Sequence, residues 1–169
     1  MDNALLLDAL SKVDWTSQSQ PPENAPGTLQ KALLAIADAA SQDSAWRAYN
    51  NLLSATGNNH AGTYYPVAVA VVPILGKVIE QGRDWPSWAA LNVLIDLYCS
   101  FDPEPGQEIF LSSSRTVERV EAALGEAISS LRPLFKRIAH DPGSEGKRRA
   151  AAQELLKILS ASRQESSIS

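Results

Sequence analysis

Residues 67–96, VAVAVVPILGKVIEQGRDWPSWAALNVLID, constrain this chain more than any other stretch. The spacing predicts a helical hairpin. An apolar helix bearing Pro73 leads into a Gly82-Arg83-Asp84-Trp85 turn, and a second helix opens at Pro86. That second helix is apolar on nearly every side, through Trp88, Ala89, Leu91, Val93, Leu94, Ile95 and Leu97. A helix without a polar face has to be packed between layers. A looser copy follows at residues 129–159, SSLRPLFKRIAHDPGSEGKRRAAAQELLKIL. In both copies a proline sits in the first helix, an aspartate closes the turn and an Ala-Ala pair opens the apolar stripe of the second helix.

The rest of the chain fits around these hairpins. Leu6, Leu10 and Val13, with Asp8 and Lys12 opposite, predict a short amphipathic helix over residues 3–13. Residues 16–27 form a polar, proline-rich connector. A helix starting at Gly27 or Thr28 carries the stripe Leu29, Leu33, Ile36 and Ala40. Asp43 or Ser44 caps the next helix, which is expected to bury Trp46, Tyr49, Leu52 and Leu53 and to stop on a left-handed Gly57. Residues 58–65 read as a loop, with Tyr65 held outside the following helix because it precedes Pro66. Residues 100–114 are the longest interior break, and Pro103 and Pro105 are expected to forbid regular structure across its FDPEPG segment, residues 101–106. One long helix is expected over residues 116–140, bent near Pro133, on the stripe Val117, Val120, Leu124, Ile128, Leu131, Phe135 and Ile138. A last helix over 144–160 closes on Ala151, Leu155, Ile158 and Leu159, and residues 163–169 fray.

At 169 residues with 44% hydrophobic content, one domain (residues 1–169) with a real core is expected. The formal charge of −4, from 15 basic and 19 acidic residues, argues against a nucleic-acid surface and suits a basic protein partner. Cys99 is the single cysteine, so no intramolecular disulfide is available; it reads as a small core hydrophobe in a reducing compartment. The N-terminal MDNALLLDAL lacks a basic leader and makes a poor signal peptide. The apolar run around residues 64–75 is too short for a bilayer. A cytoplasmic location is expected.

Helix pairs repeating at about 40 residues are the mark of HEAT-type solenoids. Residues 28–56, 66–99 and 116–160 give three such pairs. The third, with Pro133, Asp141-Pro142, then Lys147-Arg148-Arg149 before Ala150-Ala151-Ala152 and Leu155, resembles a HEAT-like repeat. The middle pair shares Pro73, Asp84, Ala89-Ala90 and Leu94, but has Ser87-Trp88 where basic residues are usual. The first offers only Asp43, Arg47 and Leu52-Leu53. The fold class expected is therefore all-α, a short HEAT-like α-solenoid over residues 28–160. Residues 1–27 supply an N-terminal capping helix and linker, and 161–169 a tail. GNNHAGTYYPVAV, WPSWAALNVLIDL and FDPEPG further resemble bacterial HEAT-like proteins that occur beside secreted antibacterial toxins and include immunity proteins. The resemblance implies a cytoplasmic protein that occupies a cognate toxin, with no membrane or nucleic-acid partner.

Catalytic signals are sparse. His60 could serve as a base or ligand, but beside Asn58 and Asn59 it fits a turn cap better. His140 reads as a helix-terminal cation. No metal-ligand spacing, phosphate loop or nucleophile elbow is found, so neither enzyme activity nor a cofactor or metal is expected. A HEAT-like DNA glycosylase would need the clustered basic residues this chain lacks, and a scaffold or chaperone adaptor is the other alternative. The candidate partner-binding residues are Asn58, Asn59, His60, Tyr64 and Tyr65 on one loop and Asp102 and Glu104 on the other. Asn92 and Asp96 on the central helix complete the set. Tyr64 and Tyr65 either anchor an interface or cover the core end. Asn92 and Asp96 either face a partner or pair internally, since polar groups on an apolar helix need partners. A polar ribbon of Arg47, Asn51, Ser54, Arg149, Gln153 and Lys157 would extend the surface on the second helices.

Overall fold

A computed structural model describes residues 3–81, 84–111, 116–143 and 146–166. The expected turn residues Gly82 and Arg83, the serine-rich end of the 100–114 break, the 144 start of the last helix and the final residues of the tail lie outside them. The described chain is mostly helical. It begins with α1 (Asn3–Ser11), then α2 (Thr28–Ala37), α3 (Gln42–Thr56), α4 (Val67–Glu80) and α5 (Asp84–Cys99). After these come α6 (Val120–Ser130), α7 (Arg132–His140) and α8 (Gly146–Ser166). No helix among the described residues is long and apolar enough to cross a membrane.

Local chemistry sets these boundaries. Gly27 takes φ +84°, a left-handed conformation that aims the connector into α2, whose Leu29, Leu33 and Ile36 are buried. Ala40 lies beyond α2 and is exposed; Ala39 takes the core position instead. The cap of α3 is Ser41, not Asp43 or Ser44. The Ser41 hydroxyl accepts from the Ser44 N–H at 3.3 Å, and the Ser44 hydroxyl accepts from the Ser41 N–H at 2.9 Å, a reciprocal capping box. α4 runs through Pro73, which lies on its exposed side. α5 begins at Asp84, ahead of Pro86, and buries Ala89, Leu91, Val93, Leu94, Ile95 and Leu97.

The helices pack in pairs, α2 on α3, α4 on α5 and α7 on α8. The second members also touch, α3 on α5 and α5 on α8, which puts α5 in the middle of a row. It also meets α2 and α6, so the helix without a polar face lies between layers, as its composition requires. α1 packs on α4. The connector from 12 to 27 is tied down: Asn24 Nδ2 donates to the Ala55 carbonyl at 2.8 Å, and the Val67 N–H donates to the Ser19 carbonyl at 3.0 Å.

Several expectations are corrected. The mainly helical class holds, but short strands that were not expected join the helices: β1 (Gly57–Asn58), β2 (Thr63–Tyr64) and β3 (Asp102–Pro103) form one small sheet, and β4 (Ile109–Leu111) and β5 (Val117–Arg119) form a hairpin. β1 and β2 are antiparallel, with Gly57 opposite Tyr64; β2 and β3 are parallel, with Thr63 opposite Asp102. Pro103 does not prevent this. The donors to β2 are the N–H groups on either side of it, Asp102 to Gly62 O (2.9 Å) and Glu104 to Tyr64 O (2.8 Å). The missing proline N–H faces away from the ladder.

The single helix expected over 116–140 is instead strand β5 followed by two helices. Pro133 has no N–H for the carbonyl one turn back; unlike at Pro73, the helix breaks here, and α7 restarts at Arg132 with Pro133 in its first turn, where proline is best tolerated. Leu131 marks the junction, its N–H bonding Ile128 O at 3.1 Å. α8 continues to Ser166, past the expected end at 160. Gly57 ends α3 in an extended conformation, not a left-handed one. Glycine is needed there because a Cβ would stand 1.9 Å from the Thr63 carbonyl oxygen across the β1–β2 pair. Cys99 is exposed, not in the core. Trp46 is 55% exposed, while the buried stripe of its helix runs through Ala45, Ala48, Leu52 and Ala55.

Candidate functional site

The two loops singled out in the sequence meet in the β1–β2–β3 sheet, which brings Asn58, Tyr64, Asp102 and Glu104 to one end of the molecule. Asn58 holds the hairpin turn: its Oδ1 accepts from the N–H groups of His60 and Ala61, both at 3.1 Å. His60 is exposed beside it. Thr63 Oγ1 donates to the Glu104 carboxylate, locking the hairpin to the acidic loop. Tyr64 is 2% exposed and its ring belongs to the core; Tyr65 is partly buried against it. Glu108 caps its own turn by accepting the Gly106 N–H at 2.9 Å, which holds its carboxyl below the usual range.

Asn59 links this end to the helix row, its Nδ2 donating to Asn50 Oδ1 of α3 at 3.1 Å; Asn50 Nδ2 in turn donates to Trp46 O at 2.8 Å. On the neighbouring helix, Asp96 accepts from the Tyr49 hydroxyl, so the internal pairing is found for Asp96. Burial first, then this hydrogen bond and the Asp96 charge, push the Tyr49 hydroxyl pKa up. Asn92, half-buried, donates to Trp88 O at 2.8 Å.

These polar contacts frame a feature not expected from the sequence, a run of aromatic rings along α3 and α5 that ends on a lysine of α8. Trp46 stacks on Tyr49 at 5.1 Å between centroids and sits 6.4 Å from Trp88. Trp88 meets Trp85 edge-on at 6.0 Å, and Lys147 Nζ caps Trp85 at 3.5 Å. Of the polar ribbon, Arg47, Asn51, Ser54, Gln153 and Lys157 are exposed and Arg149 half-exposed.

A second element of the site is a cleft of about 560 Å³ between the end of α5, β3 and the start of α6. Tyr64, Tyr98, Phe101, Asp102 and Glu121 line it, with Cys99 at its edge. Burial, followed by the charges of Glu121 and Asp102, pushes the Tyr64 hydroxyl pKa up to about 12. Glu121 was not foreseen, because the sequence placed it inside a helix that began at residue 116. Among the described residues no group of three His, Cys, Asp or Glu side chains could hold a metal ion. His140 lies far along the fold at the end of α7, its Nδ1 2.7 Å from Lys136 O. Compared with protein-family models, curated proteins and solved structures, the chain matches none.

Proposed function

We propose that this chain is a protein-binding module, a short HEAT-like stack of three helix pairs that serves as a cytoplasmic immunity protein against a bacterial toxin. The observation that carries the binding function is Trp46. A tryptophan 55% exposed, held in a fixed orientation by Tyr49 and Trp88, has the character of an interface anchor. Tryptophan and tyrosine contribute large contact area at little entropic cost because few torsions are fixed on binding. The hairpin bearing Asn58, Asn59 and His60 continues this surface through Asn50, and the Asp102–Glu104 segment stands beside the hairpin. The pairwise packing of α2 with α3, α4 with α5 and α7 with α8 supports the HEAT-like arrangement, and the immunity role rests on the sequence resemblance.

The mechanism is occlusion: the aromatic run and the two loops cover the toxin's active cleft. The test is affinity capture from a native lysate with the wild-type chain and with Trp46→Ala, followed by expression of the captured protein alone and together with this chain. One stoichiometric partner, lost with Trp46→Ala and toxic unless co-expressed, is expected. Several weak clients, or a partner harmless by itself, would overturn the immunity role.

A further inference from the structure

The cleft between α5, β3 and α6 has a composition the occlusion mechanism does not by itself explain. Its walls are aromatic, from Tyr98 and Phe101, and the charges on its lining are the carboxylates of Asp102 and Glu121. Tyr64 reaches it from the core: the residue is 2% exposed, yet among the described residues its hydroxyl has no hydrogen-bond partner. The ring is enclosed, but the hydroxyl at its tip is not fully buried: it opens onto the cleft, a space large enough for a side chain. The Asp102 carboxylate likewise has no partner among the described residues, while Glu121 meets only Arg119, at 3.3 Å, in an ion pair about 70% exposed on both sides. Such an exposed pair is weak and leaves the second Glu121 oxygen free.

We propose that this cleft receives an arginine side chain of the protein partner; this rests on the protein-binding function proposed above. The planar guanidinium carries five donors, enough to bond Asp102, Glu121 and the Tyr64 oxygen together. Its face stacks on Tyr98 or Phe101, a contact an ammonium makes less well and an anion not at all. The same carboxylates repel phosphate, which excludes a nucleic-acid occupant.

The experiment is an amide-resolved NMR titration of the full chain with Nα-acetyl-arginine amide, with Nα-acetyl-citrulline amide as the neutral isostere. It is repeated on Asp102→Asn/Glu121→Gln, in which both exposed carboxylates become amides without a change of shape. The expected result is saturable shifts at residues 100–102 and 121–125 with the arginine compound alone, weakened roughly tenfold or more in the double variant. Equal response to citrulline, or an unchanged double variant, would overturn the proposal. With the captured partner in hand, the double variant should also lose about tenfold or more in affinity. If the cleft takes the arginine compound but the double variant holds the partner as tightly as wild type, the occupant is a free guanidinium compound and the proposal falls. Loss of partner binding with Trp46→Ala in that case leaves the protein-binding function standing.

Discussion

Gly57 and Gly27 both stand at helix ends, but for different physical reasons, and substitution separates them. Alanine at 57 would put a Cβ 1.9 Å from a backbone oxygen, so β1 and β2 must part; a cost of about 2–3 kcal/mol is expected. Alanine at 27 meets nothing within 4 Å and has only its left-handed backbone to offset, about 1 kcal/mol. Urea melts of the two variants check the order. Tyr49 and Tyr64 set an alkaline limit. Their hydroxyl pKa values are raised in the folded chain, so the folded state holds protons that the unfolded state releases near pH 10. Stability is therefore complete below about pH 10 and falls as pH rises from there through the folded values. Tyr49→Phe and Tyr64→Phe should each flatten that fall in melts between about pH 9 and 11. Much at this scale was legible. The stripes Leu29-Leu33-Ile36 and Leu52-Leu53 are in the core as the spacing predicts. Trp46 was misplaced because a large aromatic outweighed the small Ala45-Ala48-Leu52-Ala55 stripe, which is the face close helix packing selects.

Among the elements, the joint between the second and third helix pairs is the most specific. Arg148 of α8 donates to Ile79 O of α4 at 3.0 Å, and its N–H donates to Asp84 Oδ1 of α5 at 3.3 Å. One residue thus closes the C-terminal end of α4, while an α5 carboxylate caps the first turn of α8. Arg148→Ala should cost about 2 kcal/mol, and Arg148→Lys should recover only part, because an ammonium lacks the guanidinium fork. Thermal melts of the two variants test this. Gly76 makes a second joint: a Cβ there would lie 2.9 Å from Leu131 Cδ2 at the α6–α7 junction. The repeat pattern did lead to the Arg148 joint, since Asp84 and the Lys147-Arg148-Arg149 cluster were among its marks; the Gly76 joint had no such mark. The short strands were illegible because two or three residues carry no period, and β2–β3 pairing is decided by tertiary proximity. Glu121 escaped notice for the same reason, as its cleft exists only once α6 starts after β5.

At the scale of the molecule, three helix pairs place α3, α5 and α8 side by side, and exposed Trp46 with the half-buried Tyr49, Trp88 and Trp85 lies on the α3–α5 part of that row. The candidate residues Asn58, Asn59, Asn92, Asp96, Asp102 and Glu104 are drawn toward it or toward the adjoining sheet, although they span some 45 positions in sequence. Trp46 supports little of the core, so Trp46→Ala should lower stability by about 1 kcal/mol, the value of its stacking on Tyr49. The most direct measurement is therefore the affinity of the captured partner for wild type and for Trp46→Ala, with the melting temperature of each recorded alongside. A loss of roughly 30-fold or more, with the melting temperature lowered by only about 2–4 °C, is the predicted result. Equal affinity of the two proteins would contradict a binding face on the α3–α5–α8 row.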